Sequence, residues 1–103
     1  MNYSDAENIS EIERQLKAQE ALSSQLKQQI AMLESLAKQK MSREAVSRYG
    51  SLKLAHPETA IKAIAMIAQA VQAGQLRETL TDEDFRTLLK NIQEGKQTYN
   101  FKR

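Results

Sequence analysis

The sequence predicts an all-α protein, and three observations carry that prediction. The chain is rich in Ala, Gln, Leu, Lys, Glu and Ile, with only three glycines and one proline in 103 residues, which is the composition of a helix former. The run PETAIKAIAMIAQAVQA, from Pro57 to Ala73, is apolar nearly all round. A helix of that kind has to be enclosed by other elements. Helix-capping signals also recur along the chain: Ser4, Ser42 and Thr81 are N-cap candidates, and Gly74 and Gly95 are stops.

The elements follow in order. Ser4-Asp5-Ala6-Glu7 fits a capping box and opens a helical segment that runs to about Lys40. Written in heptads, its seam is Ile9, Ile12, Leu16, Gln19, Ser23, Leu26, Ile30, Leu33 and Ala37. Gln19 and Ser23 interrupt the seam and divide the segment. Leu22, Leu33 and Leu36 widen the apolar face after the break, so the second half is expected to dock on the core and the first half to stay free or to meet a partner. A sustained coiled coil wants three or four clean heptads. The interrupted seam therefore favours a single helix over a dimer.

Ser42 caps a second helix that starts at Arg43, with Val46, Tyr49 and Leu52 spaced three apart on one face beside Ala45. Gly50 weakens that helix by about 1 kcal/mol relative to alanine. Pro57 cannot continue a preceding helix but suits the first position of a new one, so His56 stands at a helix start. The apolar helix runs from Pro57 to Ala73 and stops at Gly74. Leu76 and Leu80 anchor the connection. Thr81 caps the last helix, and Asp82, Glu83 and Asp84 sit where its dipole favours negative charge. Phe85, Leu88, Leu89 and Ile92 give it a buried stripe. After Gly95 no helical pattern remains, and the tail reads as mobile. The expected organisation is an N-terminal helical segment at 1–40, a three-helix bundle core at 41–93 and a basic tail at 94–103.

Catalysis is not expected. Without cysteine there is no disulfide, thiolate metal site or cysteine nucleophile. The lone His56 lacks the neighbours a zinc site needs. Asp82, Glu83 and Asp84 point in different directions on a helix and do not form a metal cluster. Met41 and Met66 are read as core fillers. Three glycines cannot build a phosphate-cradling loop. No run of about 18 apolar residues spans a membrane, and the start MNYSDAENIS is not a secretory signal. The expectation is a cytoplasmic monomer without a cofactor.

Charge is the informative remainder. The net charge is +2, but residues 1–33 carry −2, residues 34–53 carry +3, residues 54–85 carry −3 and residues 86–103 carry +4. A partner dense in negative charge would meet two basic segments. If one helix ran through the first, Lys40, Arg43 and Lys53 would share roughly one side. Tyr99 and Phe101 interleave with the basic residues of the tail.

The order of a leucine-rich helix, the basic segment AVSRYGSLKL, the junction AHPETA, the apolar helix and LTDEDFRTLLKNI resembles the programmed-cell-death-5 family, whose archaeal members are described as DNA-binding proteins. The likeness covers about residues 28–103. It is carried by Leu52 and Leu54 before Pro57-Glu58, and by the turn Gln72-Ala73-Gly74-Gln75-Leu76 before the last helix. It implies a compact three-helix bundle, a partly attached N-terminal helix, a disordered basic tail and binding to double-stranded DNA without a sequence motif. The side chains expected to contact phosphates are Lys38, Lys40, Arg43, Arg48, Lys53, Lys90, Lys96, Lys102 and Arg103. The alternative is an adaptor that docks a protein partner on the Ile9, Ile12 and Leu16 stripe, as eukaryotic relatives are regarded as acting through protein contacts.

Overall fold

The computed structural model describes residues 3–95, with side chains from Ile9 onward. Among the described residues four helices follow one another: α1 (Tyr3–Lys38), α2 (Arg43–Ala55), α3 (Pro57–Gln72) and α4 (Asp82–Gln93). The described residues contain no strand, as the all-α prediction requires. The chain divides into two units, Met1–Ile30 and Ala31–Arg103. The tail from Lys96 lies outside the described residues.

Residues 3–30 are helix throughout. The helix begins at Tyr3, one residue before the expected cap; the box of Ser4 and Glu7 lies outside the described side chains. Ile9, Ile12, Leu16, Leu22 and Leu26 are between 50% and 65% exposed, so this stretch leaves a row of large apolar side chains in water. The break at Gln19 and Ser23 is not where burial begins. Leu22 and Leu26 beyond it remain exposed, and packing on the core starts only with Leu33, Leu36 and Ala37.

In the second unit, α2, α3 and α4 are all in mutual contact. Ala60, Ala63, Ile64, Ile67, Ala68 and Ala70 of α3 are buried. Four of those six are alanine, and small side chains let neighbouring helix axes approach closely. Enclosure of α3 is not complete: Ile61, Ala65, Met66 and Val71 keep partial exposure. From α2 come Ala45 and Tyr49, and from α4 Phe85 and Leu88, all at most 1% exposed. Leu76 and Leu80 are buried, so the connection before α4 is anchored as its sequence suggests.

Local signals end and start these helices. Ser42 Oγ accepts from the Ala45 backbone N–H at 3.1 Å. At Thr81 the reciprocal box is complete: Thr81 Oγ1 accepts from the Asp84 N–H at 3.2 Å, and Asp84 Oδ2 accepts from the Thr81 N–H at 2.9 Å. Pro57 opens α3 with His56 at the cap position, whose side chain makes no capping bond. Gly74, at φ +72°, closes α3: its N–H bonds Val71 O at 3.1 Å and the Gln75 N–H bonds Ala70 O at 2.9 Å. This left-handed C-terminal turn favours glycine because it has no Cβ to clash.

One non-local device ties the elements together. The Ser42 N–H donates to Leu80 O at 2.8 Å, and the Leu80 N–H donates to Lys40 O at 2.6 Å. The turn between α1 and α2 is thereby fastened to the residue just before the cap of α4.

Candidate functional site

The basic side chains gather around α2. Arg48 and Lys53 are five residues apart, which places them about 140° apart round the helix. They therefore reach opposite edges of α2. Arg43, Ser47, Gly50 and Leu54 recur at spacings of four, three and four and are all exposed, so they form its outward face. Leu54 is 89% exposed.

At one edge, Glu34 of α1 receives two donors from α2. Lys53 Nζ donates to Glu34 Oε2 at 2.6 Å, and the Tyr49 hydroxyl donates to the same oxygen at 2.5 Å. Lys38, one turn beyond Glu34, lies over the Tyr49 ring, 5.6 Å from its centroid. Burial pushes the Glu34 carboxyl up, but the hydrogen bonds from Lys53 and Tyr49, with the charges of Lys53 and Lys38, outweigh it and hold the group below its ordinary range.

At the other edge, Asp82 takes a two-pronged bond from Arg48, Nε to Oδ1 at 2.5 Å and Nη2 to Oδ2 at 3.0 Å. Arg86, one turn along α4, adds an ion pair to Oδ2 at 3.6 Å. The Arg48 hydrogen bond dominates and holds Asp82 low; the same bond raises Arg48.

At each edge the charges of two cations act on one carboxylate, by direct ion pairs from Arg48 and Arg86 at Asp82 and by the Lys53 ion pair with the charge of Lys38 at Glu34. From Glu34 to Ala55 the chain holds Lys38, Lys40, Arg43, Arg48 and Lys53 against Glu34 and Glu44, whereas the first turn of α4 holds Asp82, Glu83 and Asp84 against Arg86.

Of the side chains expected to contact phosphates, Lys38 and Lys53 lie at the first edge, Arg48 at the second and Arg43 on the outward face. Lys40 is half-buried in the α1–α2 turn, and Lys90 is exposed one turn beyond Arg86. Lys96, Lys102 and Arg103, with Tyr99 and Phe101, lie outside the described residues. The condition for Lys40, Arg43 and Lys53 to share a side is not met, because α1 ends at Lys38 and α2 begins at Arg43. Arg86 is an addition to the expected set. Its signal in the sequence is the four-residue spacing of Asp82, Arg86 and Lys90 on α4. No local signal marks the partnership of Glu34 with Tyr49 and Lys53, 15 and 19 residues away.

The Tyr49 hydroxyl makes this edge sensitive to alkali. Tyr49 is 1% exposed. Burial, then the hydrogen bond to Glu34 and its charge, raise the phenol well above its ordinary value of 10. The unfolded chain loses that proton near pH 10, while the folded chain keeps it. The contribution is therefore complete below pH 10 and is lost as pH rises through the folded value. Thermal melts between pH 9 and 11 are expected to show a loss approaching about 1.4 kcal/mol per pH unit above 10. Tyr49→Phe is expected to flatten that dependence. Glu34 works in the opposite sense: its contribution is present above its ordinary carboxyl value and is lost as pH falls through the lower folded one.

The comparison with known proteins joins this geometry to a family. The model of a family described as "Double-stranded DNA-binding domain" matches residues 5–103. The chain belongs to that family. A relative from Thermococcus sibiricus named "DNA-binding protein" is 34% identical over 99 residues, covering 84% of this chain and 88% of the relative. A DNA-binding protein of Methanocaldococcus jannaschii is 34% identical over 93 residues, covering 82% of this chain and 85% of the relative. One from Methanocorpusculum labreanum is 35% identical over 71 residues, covering 69% of this chain and 64% of the relative. No solved structure matches the chain significantly. Membership agrees with the resemblance carried by Leu52, Leu54, Pro57, Glu58 and the Gly74 turn.

Proposed function

We propose that the chain binds double-stranded DNA without catalysis and largely without reading its sequence, through contacts from basic side chains to phosphates. The observation that carries the reading is the cation surplus along α2, where Asp82 is shared by Arg48 and Arg86, and Glu34, paired with Lys53, also feels the charge of Lys38. A cation that shares its counter-ion is poised to exchange it for a phosphate oxygen. Lys38, Arg43, Arg48 and Lys53 would make the central contacts, and Lys40, Lys90, Lys96, Lys102 and Arg103 would extend them. Arg86 joins the set through Asp82.

The outward face of α2 supports independence from sequence. Beyond Arg43 it offers Ser47, Gly50 and Leu54, with no Asn or Gln placed to pair an adenine edge. Membership of the family, and the names of the relatives, support the choice of duplex DNA over another polyanion.

The test is an anisotropy titration with a short duplex at several salt concentrations. With about five phosphates engaged, log K is expected to fall against log salt with a slope of about −4 to −5. Unrelated duplexes of equal length should compete equally. Absence of binding at low salt would sink the reading. A second reading, docking of a protein partner on α1, is favoured by the exposure of Ile9, Ile12 and Leu16. Deleting residues 1–20 separates the two, because that segment is acidic: a DNA binder keeps most of its affinity, and an adaptor loses its partner.

A further inference from the structure

We propose that residues 9–30 of α1 pair with a second copy of this chain, as an antiparallel two-stranded coiled coil whose dyad lies between Gln19 and Ser23. The starting observation is the exposed row of Ile9, Ile12, Leu16, Leu22 and Leu26 on a continuous helix. Helices gain most of their stability in water from packing an apolar face, and this face has no cover among the described residues. Ile9, Ile12, Leu16, Leu26 and Ile30 take the spacing of a coiled-coil seam over three heptads, with one polar layer at Gln19 and Ser23 and with Leu22 flanking it.

The register follows from that polar layer. In an antiparallel pair, each first-position residue of a heptad faces a fourth-position residue of the other helix. If Gln19 faces Ser23 of the second copy, then Leu16 faces Leu26 and Ile12 faces Ile30. From Ile12 to Ile30 every apolar layer then meets an apolar layer, and the two polar residues meet each other, which is how a polar layer selects one register.

The flanks select the orientation. In this register Glu13 lies beside Lys27 of the second copy, and Lys27 beside its Glu13. Neither residue has an ion-pair partner among the described residues; the ion pair in this stretch is Arg14 with Glu11, at 4.0 Å and outside the seam. Leu22, 65% exposed, meets Leu22 of the second copy at the dyad. The cost is one Glu20–Glu20 approach at the dyad. A parallel pair in register sets Leu22 beside Lys27 and Glu20 beside Gln15, so it makes no such ion pair and leaves Leu22 uncovered. Two ion pairs and a covered leucine against one like-charge contact favour the antiparallel arrangement.

Sedimentation equilibrium on the full chain, without DNA and from micromolar to millimolar concentration, tests the proposal independently of DNA binding. The mass is expected to rise from 11.7 kDa toward twice that value. Glu13→Lys alone, or Lys27→Glu alone, should weaken dimerisation about tenfold, since two attractive pairs become repulsive. The double variant should restore it. A mass that stays at the monomer value throughout overturns the pairing and leaves the stripe to a different protein. A dimer indifferent to the single reversals, or not rescued by the double, overturns the antiparallel register.

Discussion

Replacing Tyr49 by alanine is expected to remove about 4 kcal/mol of stability, the scale seen when a large aromatic is deleted from a packed core. Tyr49 is 1% exposed between α1 and the rest of the core, its hydroxyl is bonded to Glu34, and its ring lies under Lys38. The substitution opens a cavity and removes one of the two donors to Glu34 at once. A small domain holds only about 5–15 kcal/mol in total. At about 4–8 °C per kcal/mol, the melting temperature should fall by roughly 15–30 °C. Tyr49→Phe separates the parts. It keeps the ring and removes only the hydrogen bond to a charged acceptor, a loss of about 1.5–3 kcal/mol. Melting curves of the two variants side by side check this. Equal losses would mean that the hydroxyl, not the packing, dominates.

The second large effect concerns affinity. The double variant Arg43→Glu with Lys90→Glu is expected to bind duplex DNA roughly 100-fold more weakly at low salt, because each lost charge-assisted contact is worth about 1.5 kcal/mol. Its salt slope should become shallower by about two. Both side chains are exposed, and neither is an ion-pair partner of the described residues, so the fold should be little affected. Asp82→Asn should act in the other direction. It releases Arg48 and Arg86 from their shared counter-ion, and affinity should rise roughly threefold at low salt. Anisotropy titrations at two salt concentrations read both effects. An unchanged affinity in the double variant would remove Arg43 and Lys90 from the interface.

Particular residues show where sequence reading reaches its limit. The caps at Ser42 and Thr81, the stops at Gly74 and Gly95, and the stripe of Phe85 and Leu88 are legible, because each depends on neighbours within about one helical turn. The central place of the helix from Pro57 follows from its apolar residues alone. The extent of its enclosure does not, since Ile61 and Met66 are as apolar as Ile64 and Ile67 yet remain partly exposed. The basic residues around α2 are legible as a list. Their division into two edges, each centred on a carboxylate, is not.

By itself, then, the sequence determined the helical class, the helix ends, the apolar stripes and the family, all of which rest on local spacing and residue type. The tertiary structure alone decided which charges distant in the chain share a counter-ion. Glu34 meets Lys53 across 19 residues and Asp82 meets Arg48 across 34, and the Leu80 bonds to Lys40 and Ser42 hold the elements that carry them. Charge is a property of the residue, but its availability to a phosphate depends on what lies within a few ångströms. Only the folded chain sets that distance.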